Sequence, residues 1–286
     1  MIRSTNFDPS SLASLRQAKR TQLASAHAQS QMKMGKRIVS ARDDSSGAAI
    51  AARLKARAIS ADEGLRNMNE ALAAIGIAEG VLDSITSSVN TLKALGVRAH
   101  TQLKTIADVA LVNNEKNKIL SSIRKAVRSA EYNGKNLLTG GLAAGAAVNY
   151  GLGSVAVALS TATLAALGIS NLTFMAGANV LMPAAALSAQ ISGVNTAISR
   201  LSAMKGRLGA MQSQVESLIE STESNLDKTE EARSVVEDKD SLEAQVDAAT
   251  SQNKENLAMQ AFLLALQTAY RGAQSTMQTM QLMMSS

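Results

Sequence analysis

Asp43 and Asp44 are adjacent carboxylates, the pairing that general acid/base chemistry or a divalent cation could use. No histidine and no third acid flanks them in the chain. At a helix start such carboxylates cap free N–H groups and meet the positive end of the dipole, and that role is expected here. His27 and His100 stand singly in helical stretches, where packing or surface roles are expected. Gly151-Leu152-Gly153 lacks the third glycine and following helix of a dinucleotide loop and reads as a hairpin turn. Asn171-Leu172-Thr173 matches a glycosylation acceptor triplet, a pattern common by chance. The methionine stripe at the C-terminus suits sliding interfaces better than metal binding. There is no cysteine, which excludes disulfide and thiol chemistry. The expectation is a chain that is not an enzyme, with no cofactor and no metal.

The elements behind these residues are long heptad-patterned helices. Residues 44–100 read as one helix: Leu54, Ala58, Ala61, Leu65, Met68, Leu72 and Ile75 step by four and three. After a further three-residue step to Ala78, the stripe resumes at Leu82, Ile85, Val89 and Leu92, a local register slip. A stripe this narrow serves a partner helix rather than a globular core. A second helix is expected over about Ile106 to Ala130, ending at the Asn133-Gly134 turn. A third starts after Pro183, with Leu187, Ile191, Val194, Ile198, Leu201, Met204, Leu208, Met211, Val215 and Leu218 as its seam. The C-terminal helix keeps four–three spacing through Met259, Leu263, Leu266, Tyr270, Ala273, Met277, Met280 and Met284, with no charge after Arg271. So apolar a helix would aggregate in water, so burial in an assembly is expected. The N-terminal arm is less regular, with Leu12, Leu15, Leu23, Met32 and Ile38. In the middle, Val155, Val157 and Leu159 alternate with Ser154, Ala156 and Ala158, and residues 141–175 read as a small β-hairpin region.

Charge is distributed unevenly. Residues 1–42 hold eight Lys/Arg against Asp8 alone, and residues 216–255 hold twelve acids against four Lys/Arg. From Asn136 to Ser199 there is no ionisable acid, lysine or arginine. A basic head and an acidic stretch near the tail are expected to lie together, within one subunit or between neighbours. The alternative for the acidic run is a solvated face. Left bare in a polymer, the uncharged middle would face solvent and promote association, so it is expected to be covered or modified, by O-linked sugar, a neighbouring subunit or a sheath. Aromatics make up only 2% of residues, so Ala, Leu, Ile, Val and Met must fill any core. The net charge of +6 is spread along helices with almost no aromatic platform, which argues against a nucleic-acid partner. The most apolar window, Val155 to Ile169, is shorter than the roughly 20 residues of a membrane span, so no stable membrane insertion is expected. The segment Met1 to Pro9 lacks an apolar signal region; if the protein is exported, the route reads no cleavable signal.

Five motifs in order carry a resemblance. Ser40-Ala41-Arg42-Asp43-Asp44-Ser45-Ser46-Gly47-Ala48-Ala49-Ile50, with Met34-Gly35-Lys36-Arg37-Ile38 before it, resembles the start of the first rod helix of bacterial flagellins. Ala78-Glu79-Gly80-Val81-Leu82, Tyr132-Asn133-Gly134-Lys135-Asn136-Leu137-Leu138 and Arg207-Leu208-Gly209-Ala210-Met211-Gln212 follow in the family's order. Glu231-Ala232-Arg233-Ser234-Val235-Val236-Glu237-Asp238-Lys239-Asp240 completes the series.

The resemblance implies a mainly α fold of long antiparallel helices in a coiled-coil or bundle arrangement, with flagellin inner-tube and rod domains and a small β-hairpin region. Its implied divisions are an N-terminal inner-tube arm and spoke over 1–42, rod helices over 43–140 and an outer hairpin region over 141–185. A C-terminal rod helix over 186–240 and a C-terminal spoke and inner-tube helix over 241–286 follow. The large outer domains of many family members are absent. The function implied is the secreted structural subunit of the flagellar filament, a self-assembling helical polymer that drives motility outside the cell. The Met259-to-Met284 stripe would be the inner-tube assembly seam, and Asp43 and Asp44 the rod-helix start. Implied partners are other copies of the chain, the flagellar type III export apparatus, a flagellin-specific export chaperone, and cap and junction proteins. The alternatives are the related hook–filament junction protein and a membrane-active secreted translocator. Thr91 and Ala94 stand where family members recognised by the animal toll-like receptor carry Arg and Glu. The basic pI near 9.6 departs from a family that is usually acidic. Ser154, Ser160, Thr161, Thr163 and Ser170 are candidate O-glycosylation positions on the hairpin region.

Overall fold

A computed structural model describes residues 9–99, 105–140, 146–177 and 180–284. Helix dominates. The elements are α1 (Pro9–Met34), α2 (Ser45–Ala99), α3 (Ile106–Ser129), β1 (Glu131–Tyr132), β2 (Lys135–Asn136), β3 (Ala146–Asn149), β4 (Ser154–Val157), α4 (Leu164–Leu167), β5 (Met175–Gly177), β6 (Val180–Leu181), α5 (Ala184–Glu237) and α6 (Ser241–Met284). The strands form three separate antiparallel pairs, β1 with β2, β3 with β4 and β5 with β6. The chain divides into two compact units, Met1–Ala56 with Thr229–Ser286, and Arg57–Lys228. Both boundaries fall inside helices, α2 and α5.

The Arg57–Lys228 unit is built on the heptad seams. Met68, Ile75, Ala78, Leu82, Ile85, Val89 and Leu92 of α2 are all buried, so the three-residue step at Ala78 keeps the stripe inward. In α5 every other seam residue, Leu187, Val194, Leu201, Leu208 and Val215, is fully buried, and the intervening Ile191, Ile198, Met204, Met211 and Leu218 are half-buried. The two helices run antiparallel. Gly96 of α2 lies against Ile191, and thirteen residues earlier Asp83 pairs with Lys205. A Cβ at Gly96 would stand 3.1 Å from Ile191 Cγ1. One 18-residue stretch of α2 is apolar enough to cross a membrane, with mean hydropathy 1.3. Of that window 28% is buried, and the α2 seam residues from Met68 to Leu95 lie in the core of this unit.

Local chemistry sets the ends of α3. Thr105 and Asp108 form a reciprocal capping box at its start. Asn133 and Gly134, both with positive φ, make the tight turn of β1–β2 after its end. Asn136 Nδ2 donates to the carbonyls of Val127 and Arg128, closing the last turn of α3.

The uncharged middle departs from expectation in two ways. It is one hairpin, a single-turn helix and a further short strand pair, not a hairpin alone. It also contributes ten residues to the core. Val155, Val157, Leu159, Ala162, Leu164, Leu167, Ile169, Leu172, Phe174 and Met175 are buried with the α2, α3 and α5 seams. The lack of charge there is the composition of an interior, because an unpaired charge buried with these residues would be costly. The β3–β4 turn is seated on α2. A Cβ at Gly64 would lie 2.2 Å from the Tyr150 carbonyl carbon, and one at Gly151 2.1 Å from the Ser60 carbonyl oxygen. Gly151 has φ +80°, so only glycine meets both the conformation and the approach. Asn67 Nδ2 donates to the Asn149 carbonyl at 2.9 Å and ties the same contact.

Candidate assembly surfaces

In the other unit, α1 and α6 pack against each other in antiparallel fashion. Their mutual seam is made mostly of small residues, with Glu255 and Phe262 of α6 the larger ones. On α1 it runs Ser11, Ser14, Ala18, Thr21, Ser25 and Ala28, at spacings of three and four. On α6 it runs Ala244, Ala248, Ser251, Glu255, Ala258, Phe262, Ala265 and Ala269, in unbroken four–three steps. Small side chains let two helix axes approach closely, and the pair is held along a narrow line of contact.

The larger apolar residues of both helices point elsewhere. Leu12, Leu15, Leu23 and Met32 of α1 are exposed, and of the N-terminal stripe read from sequence only Ile38 is buried. The arm's large residues therefore do not pair it with α6, because that role falls to the serines and alanines on the opposite face. On α6, Met259, Leu263, Tyr270, Ala273, Met277 and Met280 are exposed, and Leu266 is half-buried. This stripe lies one residue round from the Ala258–Phe262–Ala265–Ala269 seam. The Met284 side chain is outside the described residues. From Arg271 to Met283 every side chain is exposed.

Between α1 and α2 the chain forms a compact joint. Gly35, with φ +65°, ends α1, and Lys36 pairs as an isolated antiparallel bridge with Asp238. Arg37 N donates to the Glu237 carbonyl at 2.7 Å, and Lys239 N donates to the Gly35 carbonyl at 3.0 Å. The Lys36 ammonium meets the Glu237 carboxylate, which Arg233 also contacts. These groups hold the Glu237 carboxyl below the usual carboxylate range, Lys36 contributing most. The basic head and acidic stretch thus meet within one chain at this joint.

Asp43 and Asp44 divide the work at the joint. Asp44 Oδ1 accepts the Gly47 N–H at 2.8 Å and caps α2. A Cβ at Gly47 would stand 2.4 Å from the Asp44 carboxylate, so glycine keeps this cap tight. Asp43 caps the preceding turn instead. Its Oδ2 accepts from Val39 N at 3.0 Å and Ser40 N at 2.9 Å. His27 Nε2 lies 2.9 Å from Asp43 Oδ1, so His27 is not isolated: folding joins residues sixteen apart in the chain. The Ser40 N–H chiefly holds Asp43 below the usual carboxylate range, with Val39 and His27 adding to it and burial opposing. The Gly47 N–H, then Arg37, does the same for Asp44. With its lone pairs committed to backbone N–H groups, the pair is a structural cap. No cluster of three or more metal-ligating side chains occurs among the described residues. His100 lies outside the described residues.

The remaining candidate positions are all in the Arg57–Lys228 unit. Thr91 and Ala94 are exposed on α2. Ser154 and Ser170 are exposed, whereas Ser160, Thr161 and Thr163 are half-buried. The Thr163 hydroxyl caps α4 by accepting from Ala166 N. In the Asn171-Leu172-Thr173 triplet, the Thr173 hydroxyl donates to the Met175 carbonyl at 2.9 Å. Sequence reading missed Lys116, which is buried and donates to the Leu172 carbonyl at 2.7 Å. Burial pushes its ammonium below the usual lysine range. Its helical position among Val112, Leu120 and Ile123, on the buried face of α3, is the signal that would have found it.

Residues 5–143 match the model of the bacterial flagellin N-terminal helical region, and residues 191–279 that of the bacterial flagellin C-terminal helical region. Flagellin 1 of Proteus mirabilis is 29% identical over 106 residues, which are 37% of this chain and 29% of that protein. Flagellin of Aquifex pyrophilus is 33% identical over 117 residues, 41% of this chain and 23% of its own. The flagellar filament 31.3 kDa core protein of Treponema maltophilum is 25% identical over 150 residues, 52% of each chain. The chain thus spans about half or less of the length of these relatives. The crystal structure of Bacillus cereus flagellin is 14% identical, with a TM-score of 0.45 over 55% of this chain and 88% of that one.

Proposed function

From a chain that belongs to the bacterial flagellin family, a family of structural proteins, we propose a subunit that polymerises into the extracellular flagellar filament, the helical propeller of swimming. The observation that carries this reading is the double patterning of α6. One four–three stripe, mostly of small residues, serves the pairing with α1. The adjacent stripe, Met259, Leu263, Leu266, Tyr270, Ala273, Met277 and Met280, is left for other copies. A helix with two seams joins one partner in its own chain and others in an assembly. Methionine-rich surfaces repack readily, which suits neighbours that shift register along a helical polymer.

In this reading, 1–42 and 241–286 are the inner-tube arms with their spokes, and 43–140 and 186–240 are the rod. The joint at Lys36, Asp43, Asp44 and Glu237 fixes how the arms enter the rod helices. Export through the type III apparatus, escort by a chaperone, and contacts with cap and junction proteins belong to the same proposal. So does weak engagement of the toll-like receptor, since Thr91 and Ala94 offer no charge there. Ser154 and Ser170 are the reachable hydroxyls for O-linked sugar, because the other candidates are half-buried. Intact-mass measurement of filament protein tests that point.

The experiment for the function is electron microscopy of purified chain after salt-induced polymerisation. Long filaments of the protein alone are expected. A chain that forms only short rings or caps on filaments of another flagellin would refute the filament role and favour a junction protein.

A further inference from the structure

The charge asymmetry of this chain is only partly resolved within it. Lys36 and Glu237 meet at the joint, but α1 carries four more cations, Arg16, Lys19, Arg20 and Lys33, and no acid. All four are exposed, and none has an ion-pair partner among the described residues. At 100° per residue, Arg16, Lys19 and Arg20 fall on the face opposite the Ser11–Ala18–Ser25 seam.

An acidic stripe matches them. Glu216, Glu220, Glu223, Asp227 and Glu231 of α5 step by four, three, four and four. That spacing places all five carboxylates on one exposed face of four turns. None of the five has an ion-pair partner among the described residues. Like charges at these spacings repel and disfavour the helix. The same holds for Arg16 with Lys19 and Arg20. Water and salt screen this repulsion, and opposite charge from outside turns it into attraction. A merely solvated face needs no such single-sign register, and mixed signs would favour each helix alone.

We propose that the basic face of α1 in one copy of this chain docks against the Glu216–Glu231 stripe of α5 in a neighbouring copy, and so sets the register between subunits. The occupant is a second copy because the two faces are complementary in sign and both recur in every subunit. The inference rests on the filament reading and deepens it. The Met stripe of α6 supplies adhesion without direction, whereas paired charges fix position and exclude misaligned neighbours.

Reciprocal charge reversal tests this. One variant carries Arg16→Glu, Lys19→Glu and Arg20→Glu; a second carries Glu220→Lys, Glu223→Lys and Asp227→Lys; a third carries all six. Critical concentrations for polymerisation are measured in about 0.1 M salt, where charges reach about 10 Å. Each single-face variant is expected to raise the critical concentration at least about tenfold, and the six-fold variant to return it to within about threefold of wild type. Circular dichroism on each monomer checks that helix is retained, and recovery by the six-fold variant cannot come from misfolding. Equal critical concentrations for all four chains would overturn the inference while leaving the filament reading intact. Loss in both single variants without recovery in the third would overturn it as well. Failure of the wild-type chain to polymerise would instead refute the filament reading.

Discussion

The two stripes of α6 make opposite demands on mutation, and Met277 with Met280 separates them. Their residues are 69% and 63% exposed, on a stretch where every described side chain faces outward. Replacing both with Gln keeps length and helix propensity but removes apolar surface. Fully burying a Met side chain contributes about 1.5–3 kcal/mol. With about two-thirds of each still to be covered, the pair contributes about 2–4 kcal/mol to assembly. At 1.4 kcal/mol per tenfold, the critical concentration should rise about 30- to 700-fold. The monomer should be unmoved, within about 0.5 kcal/mol, because surface substitutions rarely exceed that. Sedimentation of polymer from monomer at a series of concentrations gives the first number, and thermal unfolding by circular dichroism the second. Phe262→Ala, on the α1-facing seam, should do the reverse first: it should loosen α1 from α6 in the monomer. A critical concentration within threefold of wild type for the Met pair would refute the assignment of this stripe to assembly. Monomer unfolding at lower temperature in that variant would refute the division into two seams.

Other outcomes are equally definite. Gly64→Ala should destabilise the Arg57–Lys228 unit by about 1–3 kcal/mol, since its Cβ would stand 2.2 Å from the Tyr150 backbone, whereas Gly80→Ala, with open space around it, should be neutral or stabilising by up to about 1 kcal/mol; equal thermal shifts would contradict the seating of the hairpin. Acid should loosen the joint: Asp43, Asp44 and Glu237 have depressed folded values, so their contribution is present above the unfolded values of about 4 and is lost as pH falls through the folded ones. Amide exchange at Arg37, Ile38 and Gly47 should therefore accelerate below about pH 4, and a Glu237→Gln chain with an unchanged pH profile at Arg37 would count against it. Removal of residues after Arg271 should leave α1–α6 pairing and monomer helicity nearly intact yet prevent polymerisation, and filaments from that chain would disprove the role of the exposed end. Reporter cells bearing the toll-like receptor should respond far less than to a flagellin with Arg and Glu at positions 91 and 94; a full response to pure monomer would refute the carry-over.

The extents of the long helices could be read from the chain because they depend on local quantities. Four–three spacing from Leu54 to Leu92 and from Leu187 to Leu218 marks both length and buried face, and Pro183 and Asn133-Gly134 mark the stops. The capping role of Asp44 is equally local, reaching only to Gly47. Three features needed the tertiary structure. The first is which stripe of α6 meets α1: two stripes one residue apart share the same period, and hydrophobicity draws attention to the Met side although close approach of two helix axes favours Ala and Ser. The second is the pairing of His27 with Asp43 and of Lys36 with Glu237, across separations of 16 and 201 residues, which no spacing rule encodes. The third is the uncharged middle. An absence of charge is compatible with an inert surface or with an interior, and only packing against α2, α3 and α5 puts Val157, Leu167 and Phe174 in the core. Periodicity along one helix fixes what that helix buries, but not which other helix, or which copy, does the burying.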